Sequence, residues 1–201
     1  MNLVATDSRR LAFYSVNGVG VDNRKMVIPP KVMVAVSKEV GEEVSVYPGD
    51  KMVGFVVGNA EFTVRLIEEQ YPDYVQVIPK DNDKVLRVDK AMFVEALRRV
   101  LLVSDSATHG IAMEMGSTRE MSITAKSDIG EASEVLPVEY TGDSFRIFFN
   151  GSYLMDILRR LDSDVAVLTF KGELTSAVIK CADRGEGEDY FYLLMPTKSL
   201  F

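Results

Sequence analysis

The sequence predicts an α+β fold, with helices on one face of antiparallel sheets. Three observations predict it. Short strand-like runs outnumber the helical patterns, and in 61–67 Phe62, Val64 and Leu66 alternate with Thr63, Arg65 and Ile67, the period of a half-buried strand. These runs come in consecutive groups of three, parted by turn signals, as antiparallel strands do. A strand-helix-strand-strand-strand order then recurs three times, at a spacing of roughly 60 residues, longer than the usual solenoid repeats.

The chain opens on an apolar, strand-like run, Met1-Asn2-Leu3-Val4-Ala5-Thr6-Asp7, and two strands are expected within 1–16. So abrupt a start is the expectation for a piece of a longer chain. In the first unit, residues 25–28 (KMVI) read as a short strand. Pro29-Pro30 stop it and suit the first turn of a helix over 31–40. Strands follow at 44–47, 52–57 and 61–67, parted by Pro48-Gly49-Asp50 and Gly58-Asn59. In the second unit a strand at 84–88 meets Asp89, the N-cap of a helix over 90–103, and strands follow at about 111–115, 120–125 and 131–138. In the third, a strand at 145–149 leads to Asn150 as N-cap and a helix over 152–161, with strands at 164–169, 174–180 and 190–195. Two units make one domain. Residues 81–201 therefore read as a complete domain and 1–80 as the second half of another.

Composition bounds the chemistry. Of 201 residues, 47% are apolar and 26% charged, enough for a buried core in an ordinary globular chain. One cysteine excludes a disulfide framework and a thiolate zinc site, and one histidine excludes a His-pair metal site. No apolar run reaches the length of a membrane helix, so the expectation is a soluble, cytoplasmic protein without a membrane partner. Carboxylates cluster at Asp81-Asn82-Asp83, Asp162-Ser163-Asp164 and 185–189, but without calcium-loop spacing, and solvated turns explain them better. There is no phosphate loop and no nucleophile elbow. His109 reads as a loop residue and Cys181 as packing. No catalytic residue, metal or cofactor is expected, and the chain is not read as an enzyme.

The charge is unevenly spread. The three helices carry +2, +1 and +1, so the total of −7 splits into +4 on the helices and −11 elsewhere. Basic residues suit exposed helix faces in any case. They also suit a helix-lined surface facing a polyanion, through sequence-independent contacts with phosphates. Lys31, Lys38, Arg98, Arg99, Arg159 and Arg160 are the candidates for such contact.

Four stretches carry a resemblance. They are Ala5-Thr6-Asp7-Ser8-Arg9-Arg10-Leu11-Ala12; Tyr71-Pro72-Asp73-Tyr74 with Val77-Ile78-Pro79-Lys80; Phe149-Asn150-Gly151-Ser152-Tyr153; and Met195-Pro196. In this order and at these separations they resemble the bacterial sliding clamp, the β subunit of DNA polymerase III. The resemblance covers the whole chain and implies a DNA-clamp fold, of which this sequence would be the second half of the middle domain and the complete third domain. It implies a processivity factor that encircles duplex DNA as a homodimeric ring, helices toward the DNA. It also implies a pocket for a short glutamine- and Leu/Phe-containing peptide, through which the polymerase III catalytic subunit, the clamp loader, other DNA polymerases and repair proteins are tethered. Carried over by motif, the pocket comprises Thr6, Ser8, Arg9, Arg10 and Leu11; Pro72, Gln76 and Val77; Asn150, Tyr153, Leu174 and Ser176; and Leu193, Leu194, Met195 and Pro196, with Thr197 and Lys198 beyond. Two departures stand out: the family's Gly-His is Ser8-Arg9 here, and the end, Thr197-Lys198-Ser199-Leu200-Phe201, is longer and differently charged. Ser199-Leu200-Phe201 is itself similar to the hydrophobic end of a partner peptide. The alternative reading is a stand-alone α+β peptide-binding module that never encircles DNA.

Overall fold

A computed structural model describes residues 1–17, 24–39, 43–183 and 188–198. The chain packs as two compact units. One comprises Met1–Val19 with Tyr74–Phe201, the other Gly20–Asp73.

In the larger unit, β1 (Asn2–Thr6) and β2 (Arg10–Val16) form a hairpin. A 3-10 turn follows at Tyr74–Val77. Next come β6 (Lys84–Asp89), α2 (Lys90–Leu101), β7 (Gly110–Met115), β8 (Glu120–Ser127), β9 (Gly130–Pro137) and β10 (Glu139–Thr141). The order repeats with β11 (Phe145–Asn150), α3 (Gly151–Leu158), β12 (Val165–Phe170), β13 (Ala177–Cys181) and β14 (Glu188–Leu194). The smaller unit holds α1 (Pro30–Val36), β3 (Ser45–Pro48), β4 (Met52–Val57) and β5 (Ala60–Arg65).

The repeats of the larger unit exchange their first strands. β6 pairs with β12 of the following repeat, and β11 pairs with β7 of the preceding one. One sheet therefore runs β1-β2-β14-β13-β12-β6-β10 and the other β11-β7-β8-β9, all antiparallel. The helices start alike. Asp89 accepts the Met92 N–H at 2.8 Å, and Asn150 Oδ1 accepts the Tyr153 N–H at 3.0 Å, each filling one of the donors that a helix N-terminus leaves open. Each cap also ends its strand at equivalent places, Asp89 opposite Val165 and Asn150 opposite Gly110.

Both sheets and both helices feed one core. α2 buries Phe93, Ala96, Leu97 and Val100, and α3 buries Leu154, Met155, Ile157 and Leu158. They meet Leu86, Ile111, Met121, Ile123, Phe149, Leu168 and Phe170 from the strands. Each of the larger of these side chains contributes about 1.5–3 kcal/mol by leaving water. The smaller unit has its own core of Val36, Val53, Phe55 and Val57, with Phe62, Val64 and Leu66 packed against it on the alternation expected of β5 and its continuation.

Several expectations are corrected. Among the described residues, 25–28 form no ladder; the Val27 carbonyl accepts the Ile67 N–H. The helix expected at 31–40 ends at Val36, so Lys38 lies in the turn beyond it; Val40 is outside the described residues. α1 has no side-chain cap, because Pro29 occupies that position. α2 and α3 stop two and three residues earlier than expected, at Leu101 and Leu158. β13 begins at Ala177 rather than 174, and β10 and the 3-10 turn are additional. Asp81 and Asp83 are exposed between elements, as a solvated turn is, and there they ion-pair with Lys171, Asp83 also with Lys84. Residues 185–187 and the tail at 199–201 lie outside the described residues.

Candidate functional site: a turn, a helix face and a sheet end

The site is built on the β1–β2 turn. Asp7 Oδ1 accepts the N–H groups of Arg9 and Arg10, both at 2.9 Å, the self-bonding turn that an aspartate favours. Thr6 Oγ1 donates to the Arg10 carbonyl at 2.8 Å and accepts the Ser8 N–H. Ser8 adopts φ 69°, a left-handed conformation that costs a residue with a Cβ roughly 1 kcal/mol.

Arg10 joins this turn to α3. Its Nε lies 3.0 Å from Asp7 Oδ2, and another guanidinium nitrogen lies 2.9 Å from Asp156 Oδ2. The same guanidinium sits over the Tyr153 ring, 4.5 Å from its centre, a favourable cation–π arrangement. Tyr153 and Asp156 are three residues apart and so share one face of α3. Burial alone would push the Asp7 carboxyl up; the two backbone N–H groups and Arg10 outweigh it and hold the group below its ordinary value. Burial would likewise lower Arg10, but Asp156 and Asp7 raise it.

The far wall is the last strand. β14 pairs with β2 so that Leu193 faces Leu11 and Leu194 faces Arg10. Side chains alternate across a strand. Leu194 accordingly joins the main core, while Leu11 and Leu193, also buried, stand apart from it. Along this second face Phe13 stacks on Phe191 at 4.8 Å and meets Tyr74 at 6.0 Å. The 3-10 turn is thus seated on the β2–β14 surface, and it carries Gln76 and Val77, both exposed. Past β14, the Met195 N–H donates to the Arg9 carbonyl at 2.9 Å and the Thr197 N–H to the Phe148 carbonyl at 2.8 Å. Met195 is exposed, Pro196 half-buried, and Thr197 Oγ1 is buried with no hydrogen-bond partner among the described residues. Ala177 pairs with Leu194, so Ser176 lies level with Met195. Leu174, 78% exposed, lies further out in the same loop. Asn150, besides capping α3, donates through Nδ2 to the Thr108 carbonyl at 2.8 Å.

The structure thus brings Thr6, Ser8, Arg9, Arg10, Leu11, Tyr153, Leu193, Leu194 and Met195 into one neighbourhood. Pro72 belongs to the other unit, where it is exposed. Asp7, Asp156, Phe13, Phe191 and Tyr74 were missing from the expected set. Asp156 carries a usable signal, three residues after Tyr153 on a helix; the stack on Tyr74 carries none.

The basic candidates differ in freedom. Arg99 is held bidentately by Glu134 of β9, at 2.7 and 2.9 Å, and Glu134 raises it. Arg98 bonds to Glu95 on its own helix at 2.9 and 3.1 Å. Arg159 and Arg160, both exposed, lie just past α3 rather than within it, Arg159 as its C-cap, and the Tyr190 hydroxyl donates to the Arg160 carbonyl at 2.8 Å. Lys31 and Lys38 are exposed on the smaller unit. Among the described residues there is no cluster of groups fit to hold a metal, and no helix long and apolar enough to cross a membrane.

Paired strand-helix-strand-strand-strand repeats that trade first strands, with helices against antiparallel sheets, define the DNA-clamp class of α+β protein. The chain belongs to the DNA polymerase III beta subunit family: the family's C-terminal domain model matches residues 75–198 and its central domain model residues 1–73. Curated relatives include the beta sliding clamps of Caulobacter vibrioides, 30% identical over 98% of this chain and 54% of the relative, and of Pseudomonas aeruginosa, 29% identical over 97% and 54%. The chain therefore spans about half the length of the relatives it matches. Among solved structures, a griselimycin-bound sliding clamp from Bartonella birtlesii superposes with a TM-score of 0.90 at 29% identity, covering 98% of this chain and 54% of that one. A Pseudomonas aeruginosa clamp bound to the same compound gives 0.88 at 28%, again over 98% and 54%.

Proposed function

We propose that this chain is the partner-binding part of a non-catalytic sliding clamp, and that in a complete ring it helps to enclose duplex DNA. The single observation that carries the peptide site is the meeting of the β1–β2 turn, the start of α3 and the Met195-Pro196 end, three separate sequence motifs of the family, around the β2–β14 ladder. An apolar strip rimmed by a few fixed polar groups suits a peptide with Leu and Phe anchors. Its expected users are the polymerase III catalytic subunit, the clamp loader, and other polymerases and repair proteins, in the cytoplasm. The domain boundary is placed near residue 80.

Ring closure as a homodimer is assigned to β9, one of the two edge strands of the four-stranded sheet. Ile129 and Val135 at this edge, and Leu102 at the end of α2, are exposed apolar side chains. An unpaired edge of this kind invites another strand. DNA contact is assigned to Arg98, Arg99, Arg159, Arg160, Lys31 and Lys38, as sequence-independent phosphate contacts.

Fluorescence anisotropy with a labelled glutamine- and Leu/Phe-containing peptide tests the pocket. Met195→Asp changes an exposed position and is expected to weaken binding about tenfold. Failure of the unmodified chain to bind such a peptide, or equal binding by the variant, overturns the assignment.

A further inference from the structure

Each repeat of the larger unit uses both sides of its first strand. One side meets the return of the same repeat: Arg87 of β6 pairs with Glu139, and the Phe148 carbonyl of β11 accepts the Thr197 N–H. The other side meets the second strand of the other repeat, with the helix cap opposite that strand's first residue, Asp89 opposite Val165 and Asn150 opposite Gly110.

The smaller unit holds half of this arrangement. The Val27 carbonyl, two residues before the cap position Pro29, accepts the Ile67 N–H, as the Phe148 carbonyl accepts that of Thr197 two residues before Asn150. Backbone groups point to alternate sides along an extended chain. Met26 and Ile28 therefore turn theirs the other way, where no strand lies among the described residues. β3 is an edge of its sheet. The Gly49 N–H donates to the Met52 carbonyl beside β4, so Tyr47 and Ser45 also face β4, while Val46 and Pro48 turn their backbone groups to the open side. The side chains agree. Leu86, Val88, Ile147 and Phe149, one and three residues before their caps, are at most 3% exposed, whereas Met26 and Ile28 at the same places are only half-buried. Val34 of α1 is 54% exposed, where Met155 holds the equivalent place in α3 and is buried.

We propose that two copies of this chain join through their smaller units, segment 25–28 of each adding antiparallel to β3 of the other. The occupant follows from the repeats. In the larger unit a first strand pairs with the second strand of a like repeat and not with that of its own; a second copy supplies the like repeat. Placing the cap opposite the first residue of the strand, as in both ladders of the larger unit, sets Pro29 opposite Ser45. Ile28 then lies opposite Val46, Val27 opposite Tyr47 and Met26 opposite Pro48. This register brings the outward groups of Ile28 and Val46 together, so that each donates to the other, and the Met26 N–H meets the Pro48 carbonyl. A slip of one residue would set outward groups against inward ones and turn the apolar side chains to the wrong face. In register, Ile28 joins the face on which Val46 packs against the small core. The contact is the same from both sides and closes as a dimer. It stands apart from the peptide and DNA readings and from the β9 edge.

The test uses the 201-residue chain. Light scattering over a dilution series is expected to show twice the chain mass of 22.4 kDa, falling to the single mass on dilution. Val46→Pro removes the outward donor and leaves the β4 ladder alone, a place where an edge strand accepts proline; it is expected to weaken the dimer about tenfold. Ile129→Asp, at the β9 edge, is expected to leave the dimer unchanged. The register is read by mixing a Val27→Cys chain with a Tyr47→Cys chain, since opposed residues of a non-hydrogen-bonded pair lie within disulfide reach. Oxidation is expected to link these two chains, and to link Val27→Cys with Ser45→Cys far less; Cys181 is buried. This readout does not depend on how the proline variant folds. A chain that stays single at every concentration overturns the proposal. So does a dimer lost with Ile129→Asp but kept with Val46→Pro, or equal linking by the two cysteine pairs.

Discussion

Arg10 and Asp156, 146 positions apart in the chain, are joined by a 2.9 Å ion pair. That bond fastens the β1–β2 turn to the exposed face of α3, and the Tyr153 ring lies under the same guanidinium. Both side chains keep substantial access to water, so the energetic contribution is bounded. A double-mutant cycle with Arg10→Ala and Asp156→Ala is expected to give a coupling of about 0.5–1 kcal/mol in urea unfolding. Additive single effects would show that the two groups do not act together.

Gly151 opens α3 in a crowded place. A Cβ there would meet Leu101 Cδ2 at 2.8 Å and Ile111 Cγ2 at 3.0 Å. The leucine end can turn aside, but Ile111 is fully buried and branched at Cβ. Gly151→Ala is therefore expected to destabilise the chain by about 1–3 kcal/mol, despite alanine's better helix propensity. Unchanged urea unfolding would contradict this.

Acid should weaken the larger unit in a predictable direction. The Asp7 carboxyl titrates below its ordinary value of 3.8 in the folded chain: burial opposes this, and the Arg9 and Arg10 N–H groups with the Arg10 guanidinium prevail. The unfolded chain then takes up the proton first, so the associated stability is complete above 3.8 and is lost as pH falls from there through the lower folded value. Asp83, Asp105 and Glu134 are depressed in the same sense and add to the slope. Asp7→Asn is expected to give a shallower decline of the urea midpoint between about pH 5 and pH 2. An identical decline would remove Asp7 from the account.

DNA binding should depend unequally on the arginines. Glu134 already satisfies Arg99 bidentately, whereas Arg159 and Arg160 are exposed at the end of α3. In the complete ring, Arg159→Ala with Arg160→Ala is expected to reduce the salt slope of DNA binding by about 0.9 for each phosphate that is no longer neutralised. Arg99→Ala should change it less. Glu134→Gln should strengthen DNA binding by releasing Arg99. Equal effects of Arg99→Ala and the double substitution would refute this ranking.

The local order of the fold was legible because its signals are local. Asp89 and Asn150 announce the helices they cap, and Phe62, Val64 and Leu66 show the packed side of their strand. Residues 25–28 have strand composition, yet among the described residues Val27 shows only one backbone bond, and composition alone cannot supply a neighbour. The exchange of β6 and β11 between repeats was hidden, since β6 reaches past both helices to β12 and β11 reaches back past three strands to β7. The family motifs name Arg10, Leu11, Tyr153 and Leu193 as candidates, and the fold brings these four together. They could not reveal that Arg10 would use both local carboxylates and leave Arg9 with neither, because Asp156 approaches only after folding.

The pairing of β2 with β14 imposes an order of events on biosynthesis. Leu11 emerges from the ribosome long before Leu193, its cross-strand neighbour. The β1–β2 hairpin can close on itself early, but its other edge must stay open until β14 has been made. The docking surface proposed at Leu11 and Arg10 is thus incomplete until β14 has been made, so a nascent chain could not recruit partners there while β14 is still missing.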